Sequence, residues 1–534
     1  MHRLVLASLL AWSCTATSTA AAQAPAPPPI TSLRIDPLML VSVREFRRIA
    51  AALGAAIYPG WNPNSVPLLL YRPRVQELLL GARRRPAGFS VFTGASGLIG
   101  ERIYARDDST VMTVDDQNTT TTLDSATVLV VADQYSRMRS HIRGAVLRRP
   151  ADFANQWLDD WGFMESPYDQ LQLLLHEAFH VYQQRMAPGK QANEGVVSQY
   201  PFLNPANNAL FIIEAEILRD ALLTRDQRVQ REKAAEFVAV RTARRAALDT
   251  GYADYENRNE FSEGTARYVE YRFLQLGEGI VPLPQMYWQA GFAGYRGVLQ
   301  SRLERRLNDL VSIVGVTDGR FGNRFGAEPL RFRLYELGAA QALLLDAVAP
   351  GWKRSIFEPD VYLTDLLARA TALSDAKRQE YVDRAKAAYG YDSLLTDRRA
   401  FEQAGRRYVQ QRVDSILLTD RTLVTVSYGE TGGIAGMSFT PFGVTPVTPR
   451  TTLYDLVPLE IHFGNGVTLR MKGIIPVLLD RDAKTISFAV ATPAAAFEGQ
   501  GSAGIDTNEF AMGGFPAPTI TVTGNQVRIR LTKP

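Results

Sequence analysis

The sequence predicts an α+β chain made of a small mixed lobe, a long helical lobe and an all-β tail. Three observations predict it. Between about residues 30 and 150, short apolar and β-branched runs are cut by Gly, Pro, Asn and Asp. From 151 to 418 apolar residues recur at helical spacing, and from about Arg421 the composition shifts to Thr, Val, Gly and Pro with strand-like alternation. A chain of 534 residues, 46% hydrophobic and 21% charged, is long enough to bury a sizeable core in two or three domains. Its formal net charge of +4 is small for this length and its arginines are interleaved with acids, which excludes nucleic acid as an implied partner.

The chain opens with a short basic head, Met1-His2-Arg3, and an apolar run from Leu4 to Trp12 too brief to span a bilayer. This pattern predicts an export signal over 1–22, with a small-residue cleavage site at Ala20, Ala21 and Ala22, followed by a stiff Pro/Ala linker over 23–29. The protein is therefore expected in the periplasm or secreted. Cys14, the only cysteine, lies inside that signal, and Trp12-Ser13 before it suits a lipid-attachment motif poorly. No later stretch is apolar enough to cross a membrane, and the mature chain has no thiol for a disulfide or a thiolate metal site.

In the sheet lobe, 30–150, Val41 to Leu53 has helical spacing, while Val66–Tyr71, Gly88–Phe92, Val111–Val114 and Ala126–Ala132 read as strands. Asn118 to Thr122 reads as a polar loop. The stretch Thr93 to Gly100 looks like a nucleotide-binding glycine loop, but no full helix follows it, so it reads as a glycine-rich turn.

The helical lobe, 151–418, carries the chemistry. Leu173-Leu174-Leu175-His176-Glu177-Ala178-Phe179-His180-Val181-Tyr182 contains an HExxH, and Ser166-Pro167 followed by Asp169 reads as the cap of its helix. Two histidines four apart stack on one helical face and reach one metal ion, while Glu177 leans toward water at that ion. With only five histidines, a chance HExxH arises in on the order of one in several hundred such chains. A pair of core histidines is the bland alternative. His141, between Arg139 and Arg143, reads as exposed.

A catalytic zinc site needs a third protein ligand and an open position. Without mature cysteine that ligand should be a carboxylate, and Glu214, Glu216, Glu260 and Glu263 are the candidates. Glu214 and Glu216 sit in the apolar run Phe211–Leu218, where a carboxylate needs a partner or a metal. Beyond loop 188–207, helices are expected over Ala209–Leu223, Asp226–Leu248, a segment around Asn259–Tyr271 with Glu263, Ala266 and Glu270 on one face, Leu334–Val348, and onward to Ile416.

Glu263-Gly264-Thr265-Ala266-Arg267-Tyr268 resembles the Asn-Glu-Gly-Phe-Ala-x-Tyr ligand helix of the gluzincin metallopeptidases, specifically the aminopeptidase N and leukotriene A4 hydrolase family. Tyr335-Glu336-Leu337-Gly338 is similar to that family's Tyr-Glu-Lys-Gly, and the three motifs occur in family order. The resemblance implies a gluzincin-like catalytic domain over 30–418, one Zn2+ held by His176, His180 and Glu263, Glu177 as general base, and Tyr335 as donor to the transition-state oxyanion. It also implies a peptidase acting on peptide or protein substrates. Glu216 stays the next-best ligand, and Glu260, Asp254 and Glu214 are candidates to orient the imidazoles. The chain departs from the family in the long separation of His180 and Glu263, which implies an inserted helical pair, Ala209 to Leu248. The exopeptidase signature Gly-x-Met-Glu-Asn has only an echo in Gly162-Phe163-Met164-Glu165-Ser166. Two other readings stay open: a non-catalytic binding protein on the same scaffold, and a zinc hydrolase of a non-peptide bond.

The tail, 419–534, reads as a β-sandwich or barrel. Leu423–Tyr428, Leu459–Phe463, Val467–Met471, Thr485–Val490, Thr519–Val522 and Val527–Leu531 are its strands, with hairpin turns at Asn465-Gly466 and Gly524-Asn525. His462 reads as an ordinary strand residue.

Overall fold

The computed structural model describes residues 29–94, 100–108, 112, 118–139, 166–317, 325–439, 443–455, 459–499, 504–514 and 518–532. The expected signal with Cys14, most of the linker, His141, most of the runs at Val111–Val114 and Gly162–Glu165, and the centre of the Thr93–Gly100 loop lie outside the described residues. The chain forms two compact units, one of 1–191, 261–308 and 349–366, the other of 192–260, 309–348 and 367–534. It is a mixed α and β architecture with a β-rich C-terminal region.

The first unit holds a six-stranded mixed sheet of β1 (Leu68–Arg72), β2 (Gln76–Leu80), β3 (Ser90–Phe92), β4 (Ile103–Asp107), β5 (Thr119–Leu123) and β6 (Ala126–Ala132) in the order β3-β4-β2-β1-β6-β5. β1 runs parallel to β6, and the other pairs are antiparallel. Three strands, β2, β4 and β5, were not expected. Asn118–Thr122, read as a loop, contributes to β5, because four β-branched threonines pair with Val130, Leu129, Val128 and Thr127 of β6. β2 carries no alternation, because both its faces are buried and its Gln-Glu-Leu-Leu-Leu is made of good helix formers. The segment after Thr93–Gly100 is strand β4, in keeping with a turn rather than a dinucleotide loop.

The same unit contains helices α1 (Pro37–Ile57), α2 (Pro167–Met186) and, further along the chain, α6 (Thr265–Leu276). Helices of the second unit include α3 (Pro205–Leu223), α4 (Gln227–Arg245) and α5 (Thr250–Asn259). α7 (Val298–Gly315) precedes α8 (Ala327–Val348), α9 (Trp352–Ser355), α10 (Leu363–Thr371), α11 (Asp375–Ala388) and α12 (Tyr391–Leu417). Among the described residues no helix is long and apolar enough to cross a membrane.

In the C-terminal region β7 (Thr422–Ser427), β9 (Val444–Pro446), β10 (Thr451–Tyr454), β13 (Val477–Asp480), β14 (Thr485–Val490), β17 (Thr519–Thr523) and β18 (Gln526–Arg530) make a seven-stranded sheet. β8 (Ile434–Phe439), β11 (Leu459–Phe463), β12 (Thr468–Met471), β15 (Ile505–Asp506) and β16 (Phe510–Gly513) make a five-stranded one. Rings from the two sheets meet as Phe488–Phe510 (5.0 Å), Phe439–Tyr454 (5.4 Å) and, at the end of β7, Tyr428–Phe463 (5.7 Å), as in a sandwich. The Asn465-Gly466 and Gly524-Asn525 turns join β11 to β12 and β17 to β18, with glycine at positive φ in each. Val409, Val413 and Ile416 of α12 pack on Leu453 and Leu478.

The second unit also buries a charged network. Glu214 of α3 accepts from Arg241 (2.7 Å) and Arg244 (2.6 Å) of α4, Glu256 of α5 accepts from Arg244 (2.7 Å), and Glu260 accepts from Arg241 (2.6 Å). All five side chains are inaccessible to solvent or nearly so. Burial would raise the Glu256 carboxyl, but Arg244 and Arg245 hold it well below its ordinary range. Losing one partner of such a pair strands the other charge. Arg244→Met is therefore expected to lower stability by about 3–5 kcal/mol, read from the urea midpoint of the intact chain; a change below about 1 kcal/mol would mean the network is not dry.

Candidate metal centre

The HExxH helix forms where its cap predicts. Ser166 Oγ accepts from the Asp169 amide at 3.2 Å and Pro167 takes the first helical position, where its missing N–H costs nothing. The cap is worth about 1 kcal/mol, whereas burying Leu171, Leu174, Leu175 and Phe179 contributes about 1.5–3 kcal/mol each, so packing holds the helix. Phe179 meets Tyr58 (5.0 Å) and Trp61 (5.3 Å), and Tyr182 meets Phe357 (5.5 Å). The histidine face is thereby set against a rigid aromatic core.

On that face the imidazoles of His176 and His180 lie 4.8 Å apart, centroid to centroid. Glu263 comes from a π-helical turn, Glu260–Gly264, that leads into α6. Its Oε2 is 3.3 Å from His176 Nε2 and 3.5 Å from His180 Nε2. The three ligand atoms all lie within 4.8 Å of one another. Ligands bonded to one tetrahedral zinc at about 2.0–2.1 Å stand about 3.3–3.4 Å apart; the two distances from Glu263 match that spacing, and the donor set is one that zinc takes. The donors are two imidazole nitrogens, which must be deprotonated to bind a metal, and one carboxylate oxygen, three of the four ligands that a tetrahedral ion takes.

The outer nitrogens are also engaged. His176 Nδ1 meets Glu270 Oε1 at 2.8 Å, and His180 Nδ1 meets Gln183 Oε1 at 2.8 Å. Glu270 is held by Arg267 (2.7 Å) and Arg306 (3.0 Å). Burial would raise its carboxyl, but Arg267, His176 and Arg306 keep it ionised far below the usual range. Burial would lower the His176 imidazole, yet Glu263 and Glu270 outweigh that and raise it to about 9. His180 is raised as well, Glu263 overcoming the effect of burial. Glu177 is half-buried, and desolvation pushes its carboxyl up against the opposing pull of His180 and His176.

The structure brings His176, His180 and Glu263 together, with Glu177 beside them on the same helix. Tyr335 belongs to α8 in the second unit, where its hydroxyl accepts from Arg331 at 2.9 Å. Glu216, the rival ligand, also lies in the second unit and is paired with Arg219. Of the residues expected to orient the imidazoles, Glu214 and Glu260 are committed to arginines and Asp254 to Arg258 (2.7 Å). Glu270 and Gln183 occupy that role instead. Glu270 was already placed on the face of Glu263 by its spacing but without this role, and Gln183, seven residues beyond His176, could have been found by the same rule. His462 is an exposed residue of β11. Comparison with protein-family models, curated proteins and solved structures finds no match.

Glu263→Ala should remove the metal: elemental analysis is expected to find near-stoichiometric zinc in wild type and almost none in the variant, and zinc retained would shift the third ligand to another carboxylate such as Glu216. Metal binding should also depend steeply on pH. Both histidines bind protons more tightly than usual and must release them to a metal, so apparent zinc affinity should rise by at least about tenfold per pH unit as the pH climbs toward about 9. A chelator competition that is flat between pH 6 and 8 would contradict protonated apo histidines.

Proposed function

We propose that the chain is an exported zinc-dependent metallohydrolase of gluzincin type, acting as a peptidase on peptide or protein substrates. The observation that carries this reading is the convergence of His176, His180 and Glu263 on one point, with Glu177 next to the first histidine. A purely structural site has no use for a general base. When bound by His176, His180 and Glu263, zinc supplies a Lewis acid that lowers the pKa of water at its open position.

The remaining steps belong to the chain's own residues. Glu177 takes the proton from the attacking water and later delivers it to the leaving amine. Its upward-shifted carboxyl suits both halves of that task, because a base whose pKa lies nearer the working pH also returns its proton readily. Glu270 and Gln183 hold the imidazoles by their Nδ1 protons, which directs Nε2 of each toward Glu263. For Tyr335 an oxyanion-donor role is supported by the Tyr-Glu-x-Gly resemblance alone.

Glu177→Gln separates binding from chemistry. Hydrolysis of a peptide library should fall by at least about 100-fold while zinc content stays at the wild-type level. Undiminished cleavage would remove Glu177 from the reaction. Zinc-loaded wild type inert toward every peptide would favour a binding protein or another hydrolysable bond.

A further inference from the structure

We propose that Gln183 is a positioning residue that locks the Glu263 turn in its π-helical register against the HExxH helix, so that one amide sets both the His180 tautomer and the place of the carboxylate ligand. The proposal rests on the metal-centre reading above and extends it to a residue outside the HExxH and Glu-Gly motifs.

The argument starts from the amide's orientation. Gln183 is buried, and its Nε2 lies 2.9 Å from the Phe261 carbonyl oxygen, 2.8 Å from the Ser262 carbonyl oxygen and 2.6 Å from Thr265 Oγ1. Carbonyl oxygens only accept, so the NH2 end must face them and Oε1 must face His180. An amide oxygen only accepts, so His180 Nδ1 carries the proton, and in the neutral ring Nε2 holds the lone pair on the side of Glu263. Every link in this chain is forced by the one before it.

The other half of the amide acts on the backbone. In a π turn the i→i+5 pattern alters how the carbonyls are satisfied, and here Phe261 O also accepts from Thr265 Oγ1 at 2.6 Å. Side chains thus hold two successive carbonyls of the turn that bears Glu263. A π turn contains one residue more than the α turn it replaces. Its collapse would shift the register ahead of Thr265 by one residue, a rotation of about 100°, and would carry Glu263 away from the imidazoles.

Two substitutions separate these functions. Gln183→Glu keeps an acceptor for His180 Nδ1 but puts oxygen against the two carbonyls; Gln183→Met removes both halves. Zinc affinity, measured by chelator competition, should fall about 10–100-fold in both variants, with far-UV circular dichroism retained. Amides of residues 261–265 should exchange hydrogen faster than wild type in both variants without any metal present. If Gln183→Glu binds zinc within threefold of wild type and leaves that exchange unchanged, the register role is overturned. Should wild type itself hold no zinc, the metal reading fails, and the exchange measurement still decides whether Gln183 holds the turn.

Discussion

An imidazole offers a metal only one ring nitrogen, and which one is decided by what its other nitrogen touches. In this chain both outer nitrogens are committed, His176 Nδ1 to Glu270 and His180 Nδ1 to Gln183, each at 2.8 Å. The rest of the centre depends on those two contacts. They point both Nε2 atoms toward Glu263 Oε2; the Glu270 contact ties α2 to α6, and Gln183, itself on α2, reaches the π turn through its amide nitrogen. Distant parts of the sequence become one site through these contacts.

The two outer contacts differ in kind. Glu270 is an ionised carboxylate steadied by Arg267 and Arg306, so it strengthens the basicity of His176 and favours a positive charge on the ring or on whatever the ring binds. Gln183 is neutral and adds no charge. One histidine is therefore electrostatically supported and the other sterically fixed, which keeps the net charge near the site from growing with each added partner. The aromatic packing of Tyr58, Trp61, Phe179 and Tyr182 fixes α2 in place, so the backbone positions from which the two imidazoles project are stiff.

Much of this was legible in the sequence. Ser166-Pro167 and the HExxH announce themselves through short-range rules of capping and periodicity, Glu263-Gly264 stood out from rival carboxylates only by its resemblance to a known ligand helix, and the Asn465-Gly466 turn is announced by the φ it requires. Features set by tertiary partners were not legible. β2 lacks alternation because both faces are covered, and the threonines of β5 look like a loop until β6 supplies a neighbour. The π turn leaves no mark in residue spacing, because its extra residue is stabilised by Gln183 and Thr265 from outside the turn.

The most instructive misdirection concerns Glu214. A carboxylate within an apolar helix demands a counter-charge, and in a histidine-poor chain with an HExxH a metal is a natural candidate. The sequence asked for a partner or a metal, and the structure supplies partners: Arg241 and Arg244, three residues apart on α4, both reach Glu214. Glu263 differs in what surrounds it. Its neighbours include the Nε2 atoms of His176 and His180, which give up their protons when a metal binds, whereas a guanidinium charge is fixed. A buried carboxylate facing arginines is neutralised for structure; a half-buried one facing two imidazoles has neighbours that can also serve as ligands.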